Sequence, residues 1–145
     1  MRIVPDTSII IAGGISKMLE EEKVEEIIIP EAVIAELEAQ ANFGHISGFR
    51  GLAEVEKIVQ IAKNRGIRVE FVGRRPNIDE IKLAKGGEID SMIRDIAKEH
   101  SAILVTSDRV QSLVAKAKGI ETIYVKPRII KPEETKIMSF FTPDT

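Results

Sequence analysis

Apolar residues in this chain fall into two kinds of run. Short stretches rich in Ile and Val occupy residues 2–5, 26–29, 67–72, 102–106 and 121–125 and read as strands. Between them the apolar positions take helical spacing over 7–22, 30–42, 48–65, 78–84, 87–99 and 108–118. Within 87–99, for instance, Ile89, Met92, Ile93 and Ile96 fall on one helical face. Pro30 suits a first-turn position that needs no N–H donor. Gly66 and Gly119 stand where a helix hands over to the next segment. Strands that alternate with helices predict a parallel sheet covered on both faces, a three-layer α/β/α fold of five strands. Crossovers in such a sheet are right-handed, and its ligand site lies outside the strand C-termini where strand order reverses.

Two of the strand runs end in acids. Ile3-Val4-Pro5 leads into Asp6-Thr7-Ser8, and Ala102-Ile103-Leu104-Val105 leads through Thr106 and Ser107 into Asp108. An acid at the tip of a buried strand must be solvated, paired or bound to a cation, because burying it alone is costly. Each also fits a helix N-cap, so capping is the plainer reading of either one alone. Asp6 and Asp108 meet if the first and fourth strands are neighbours across the reversal. Two further acids lie in helical patterns. Glu36 sits at the edge of the face made by Val33, Ile34, Leu37 and Ala41, where a solvated charge is the usual fate. Asp90 lies in a first helical turn, which favours a carboxylate on its own account. Glu38, Glu88 and Asp95 are competing acids nearby. Together Asp6, Glu36, Asp90 and Asp108 suggest a site for a hard divalent cation. Oxygen ligands suit Mg²⁺ or Mn²⁺ better than Zn²⁺.

Composition narrows the alternatives. The chain has 145 residues, 43% hydrophobic and 30% charged, which suits one globular domain with a real core. With no cysteine, disulfides, thiolate metal sites and cysteine nucleophiles are excluded. The formal net charge of -2 offers no general attraction for nucleic acid, so such affinity needs a local basic patch or a metal. Arg74-Arg75 is the best local cluster for phosphate, with Arg50 and Arg109 as modest additions. His45 and His100 lack partners for catalysis, and His45 is placed to line a cleft edge. No Walker spacing accompanies Gly86-Gly87. No run resembles a signal peptide or membrane span, so a cytoplasmic protein is expected. Residues 126–145, with Lys126-Pro127-Arg128 and Lys131-Pro132, read as a tail or a linker to a further domain. Short extended pieces are expected there at 129–130 and 137–141.

The motifs Ile3-Val4-Pro5-Asp6-Thr7-Ser8, Pro30-Glu31-Ala32-Val33-Ile34-Ala35-Glu36-Leu37, Gly87-Glu88-Ile89-Asp90 and Leu104-Val105-Thr106-Ser107-Asp108 occur in this order. In that order they resemble the PIN domain family of metal-dependent nucleases, over residues 1–125. The resemblance implies Asp6, Glu36, Asp90 and Asp108 as ligands of Mg²⁺ or Mn²⁺, with Thr106 or Ser107 as polar helpers. It implies hydrolysis of phosphodiester bonds in single-stranded RNA, or in single-stranded DNA, by a homo-oligomer. Tail and sequence character resemble the PIN module of archaeal PIN-domain ATPases, and a free-standing VapC-like toxin is the nearest competitor. The competing class is a catalytically weak module for nucleic-acid binding or oligomerisation in a larger ATPase. A phosphotransfer receiver domain is a third candidate, but it expects paired acids after the first strand, where Asp6 is followed by Thr7 and Ser8.

Overall fold

The computed structural model describes residues 1–84 and 87–127. Its frame is a parallel sheet of five strands: β1 (Arg2–Pro5), β2 (Glu26–Pro30), β3 (Arg68–Val72), β4 (Ile103–Thr106) and β5 (Thr122–Tyr124), in the order β3-β2-β1-β4-β5. The chain moves outward from β1 to β2 and β3, then returns across the sheet to β4 on the other side of β1. Strand order therefore reverses between β1 and β4, as the sequence pattern anticipates. Their register pairs Ile3 with Ile103, Val4 with Leu104 and Pro5 with Val105. Asp6 N–H continues the ladder to Val105 O at 3.0 Å, which sets Asp6 level with Thr106.

The central strands are the most apolar because both of their faces are covered. Ile3, Val4, Ile27, Ile28, Ile29, Leu104 and Val105 are all buried. β3 is an edge strand, and Phe71 on it is largely exposed. Right-handed crossovers send the helices that precede β3 to one face and those that follow it to the other. On the first face are α1 (Thr7–Ile11), α2 (Gly14–Glu21), α3 (Glu31–Asn42) and α4 (Ile46–Arg65), with α4 packed against the other three. The second face carries α6 (Glu88–Glu99) against β1 and β4, and α7 (Arg109–Ala117) against β4 and β5. The short α5 (Ile78–Leu83) touches α3.

One element differs from the sequence expectation. The helix expected over 7–22 is two helices, α1 and α2, broken at Gly13, whose φ of 74° only glycine adopts freely. Gly14 has no room for a side chain, since a Cβ there would strike the Ile9 side chain. Elsewhere the boundaries move by one or two residues. The expected extended pieces at 129–130 and 137–141 lie outside the described residues.

Candidate metal centre

Asp6 follows β1 directly and is buried, at 1% exposure. Its carboxylate has a full set of donors. Ser8 Oγ donates to Oδ1 at 2.6 Å, Ile9 N–H to the same oxygen at 3.1 Å, and Thr106 Oγ1 to Oδ2 at 2.5 Å. The Ile9 bond is the N-cap of α1, so the capping reading holds. The Thr106 bond follows from the β1–β4 register, because the two residues leave neighbouring strands side by side. Burial pushes the Asp6 carboxyl up to about 6 against these donors, with the charge of Asp90 adding to the rise.

Glu36 projects from α3 and is half-buried. Thr7 Oγ1 donates a short hydrogen bond to its Oε1, so the second residue after β1 holds an acid from another helix. Its carboxyl is raised, first by burial and then by the charges of Asp90 and Asp6. Asp90 lies in the first turn of α6 and is raised by burial and by Asp108, while Arg94 opposes the shift. Asp108 follows Thr106 and Ser107 beyond β4 and caps α7. Its Oδ1 accepts Val110 N–H at 2.8 Å and Gln111 N–H at 3.2 Å.

Mutual repulsion thus links the four acids in a chain: Asp6 and Glu36 to Asp90, and Asp90 to Asp108. All four gather at the C-terminal end of the sheet. Glu88 and Asp95, the competing acids on α6, are both exposed. Glu38 faces solvent and pairs with Arg75 at 3.2 Å. As they stand, however, among the described residues no three Asp, Glu, His or Cys side chains draw close enough to hold one ion. The physical reason is visible in the hydrogen bonds. Asp6 is turned toward three donors, Asp108 toward a helix end and Glu36 toward Thr7, so like charges stay apart. The donor set is all oxygen, as a hard cation requires. Ser107 Oγ lies buried without a hydrogen-bond partner, while Ser107 N–H donates to Ser8 Oγ at 3.0 Å. The chemistry of the donor set therefore fits such a cation, and closing on it requires the side chains to turn from their present hydrogen bonds.

Some neighbours were not legible in the chain. Gln111 is buried at 1% exposure, donates from Nε2 to Asp90 O at 3.1 Å and accepts from Arg94 at 2.6 Å. It braces α7 against α6 and so sets the spacing of Asp108 and Asp90. Its helical position marks it only as one more polar residue. The Arg74-Arg75 pair is engaged by acids. Arg74 makes a two-pronged bond to Glu80 at 2.8 and 2.7 Å, and Arg75 bonds Glu38. Contact with phosphate at that pair requires exchange of these exposed partners. His45 is exposed and lines a groove shared with Glu36, as expected of a cleft-edge residue. His100 ends α6, where its carbonyl accepts from Arg2 at 2.7 Å.

A five-stranded parallel sheet with acids clustered at the reversal of strand order defines a class of nuclease-type α/β domains. The sequence model of the PIN domain family matches residues 3–117, and the chain belongs to that family, whose members are generally nucleases. Among curated proteins, an uncharacterized KH and PIN-domain containing protein of Methanocaldococcus jannaschii is 46% identical over 127 residues, covering 86% of this chain and 20% of that protein. The Holliday junction branch migration ATPase PINA of Sulfolobus acidocaldarius is 24% identical over 126 residues, 86% of this chain and 23% of that protein. The chain thus spans about a fifth of the length of the curated relatives it matches. A solved domain of a functionally unknown protein from Methanocaldococcus jannaschii superposes with a TM-score of 0.83 at 45% identity, covering 90% of this chain and 94% of that domain. Among the described residues no helix is long and apolar enough to cross a membrane.

Proposed function

We propose that this domain is a Mg²⁺- or Mn²⁺-dependent endoribonuclease that hydrolyses phosphodiester bonds in single-stranded RNA. The observation that carries the reading is the set of raised carboxyls, Asp6, Glu36 and Asp90, coupled to one another and to Asp108 beside the β1–β4 junction. Acids that are partly buried and repel one another at a strand reversal suit a cation, beside the helix caps that Asp6 and Asp108 make.

In this reading Asp6, Glu36, Asp90 and Asp108 hold the cation. When bound, the cation supplies positive charge against the charge that grows on the phosphate during hydrolysis. The chain's residues do the rest. Ser8, Thr106 and Ile9 N–H fix the Asp6 carboxylate in one orientation, and Thr7 does the same for Glu36. Ser107 N–H donates to Ser8 Oγ, which in turn holds Asp6. A carboxylate whose pKa is raised is also suited to take a proton from the attacking water, and half-buried Glu36 stands at the groove wall for it. No nucleophilic side chain is required.

The test is cleavage of a labelled single-stranded RNA. Wild-type protein should cut it with Mn²⁺ or Mg²⁺ and stop when chelator is added. Asp6→Asn should lose cleavage while keeping the circular dichroism of the wild type. RNA left intact under every metal, with Asp6→Asn indistinguishable from wild type, sinks the enzyme reading. A second reading has its own support. Relatives of which the match covers 20% and 23% are named for a KH domain and for an ATPase, and among the described residues no three acids close on a point. A weakly catalytic module for nucleic-acid binding or oligomerisation in a larger cytoplasmic ATPase would bind RNA without products, with affinity that falls steeply with salt.

A further inference from the structure

From Glu36 a groove of about 500 Å³ runs along the outer side of α3 toward α5. Its walls include Glu36, Gln40, Phe43, His45, Ser47 and Ile81. Three of these, Glu36, Gln40 and Phe43, stand four and three residues apart and so form one stripe of the helix. At 1.5 Å per residue, Phe43 lies about 10 Å along the axis from Glu36. The Phe43 ring is 54% exposed, and Lys82 Nζ stands 5.6 Å from its centroid. Ser47 Oγ donates to Gln40 Oε1 at 2.5 Å, which holds the amide with its NH₂ as the donor to spare.

We infer that this groove seats an unpaired base of the substrate strand, beside the phosphate that lies at the acids. The inference rests on the nuclease reading, since it takes its starting point from Glu36. The chemistry of the walls selects the occupant. An exposed aromatic ring offers a stacking face to any base, and stacking of this kind is tolerant of sequence. The Gln40 amide, the Ser47 hydroxyl and the His45 ring present hydrogen-bonding edges in a groove otherwise floored by Ile81 and Ala39. A cation at the ring gives a local positive charge at the far end of the groove from Glu36, in a chain whose net charge is -2. A paired base could not reach the ring, because its faces are already stacked and its edge is taken. The groove therefore prefers single strands, and RNA and DNA differ here only through the 2′-hydroxyl.

The experiment measures binding in chelator, where cleavage is not needed. The 145-residue chain is titrated into a short fluorescein-labelled single-stranded RNA, the same sequence as DNA, and the corresponding RNA duplex, with fluorescence anisotropy as readout. Phe43→Ala should weaken single-strand affinity about tenfold, the size of one lost stacking contact, and leave duplex affinity unchanged. Phe43→Trp should restore it. A base analogue such as 2-aminopurine in the strand should lose its quenching on binding in Phe43→Ala. Equal single-strand affinity for Phe43→Ala and wild type, or equal loss on the duplex, overturns the base seat. So does an RNA-free dimer by analytical ultracentrifugation that Phe43→Ala dissolves, because the ring would then be covered by a second copy. The two readings fail separately. Weakened single-strand binding without any cleavage by wild type keeps the seat and removes the nuclease, whereas cleavage and binding untouched by Phe43→Ala keep the nuclease and remove the seat.

Discussion

Asp6 holds two roles that a sequence reading sets against each other. It caps α1 through Ile9 N–H, and it stands among the acids with a carboxyl pushed up to about 6. The rise has a consequence for stability in metal-free protein. The folded state binds this proton more tightly than the unfolded chain, whose Asp titrates near 3.8. For this group stability is therefore full below about pH 4 and is lost as pH rises through 6. A shift of this size corresponds to about 3 kcal/mol as an upper figure. Asparagine keeps an acceptor for Ile9 N–H but carries no charge. In chelator, urea denaturation of Asp6→Asn and wild type should give similar stability at pH 4 and a widening advantage for the variant by pH 7. A gap that stays constant with pH would mean that the ionised Asp6 is not strained by its surroundings. Asp108 is different, since the bonds its carboxylate accepts from Val110 N–H and Gln111 N–H are those of an N-cap. Asp108→Ala should cost about 1 kcal/mol of stability, and Asp108→Asn almost nothing, because Asn caps as well as Asp. The caps were legible at these junctions, because strand runs ending in Asp are local patterns. Gln111 and Arg94 were not, because their meaning lies in a contact between α6 and α7 that no local pattern records.

At the scale of elements, Glu36 is only as well placed as α3, and α3 is held by α4. The two helices approach at Gly48, where a Cβ would meet the backbone of Ala41 and of Leu37, and at Gly51, where it would meet the Leu37 side chain. Backbone cannot yield as a side-chain tip can. Gly48→Ala should destabilise by about 1–3 kcal/mol despite alanine's better helix propensity, and thermal denaturation checks it. An increase in stability would mean that the helices separate freely. A second link spans α2 and α4. No side chain of the Gly13 N-cap serves α2, and Glu54 of α4 takes that place, accepting Ser16 N–H at 2.8 Å and Ser16 Oγ at 2.9 Å. Glu54→Ala strands a buried N–H and should cost about 1–3 kcal/mol, whereas Glu54→Gln keeps an acceptor and should cost less. Periodicity showed the apolar faces of α3, α4 and α6 but joined α1 to α2. Ile9, Ile10, Ile15 and Leu19 carry the apolar pattern across the break, and a Gly-Gly pair inside a periodic run is easily read through.

For the molecule as a whole, the α/β alternation carried the fold: short buried strands, longer amphipathic helices and right-handed crossovers leave few ways to arrange five parallel strands. What alternation could not supply was how far the acids stand apart. Ser8, Thr7 and Thr106 turn Asp6 and Glu36 toward hydroxyls, and that detail depends on packing between elements distant in sequence. It also makes a global prediction. If the site closes on a divalent cation, the ion offsets the burial and the mutual repulsion that now raise three carboxyls, and folding and binding become linked. Mn²⁺ at a hundred times its dissociation constant should raise unfolding free energy by about 2.7 kcal/mol, read as a rise in melting temperature. Asp6→Asn should show little of this rise although it is the more stable protein in chelator at neutral pH. The stabilisation should fade on acidification below about 6, where protons compete with the ion for Asp6. A melting temperature raised equally by Mn²⁺ in wild type and Asp6→Asn would place the ion elsewhere on the surface. The crossing of the two stabilities, variant above wild type in chelator and wild type above variant in saturating Mn²⁺, is the outcome that only a carboxylate cluster built for a cation produces.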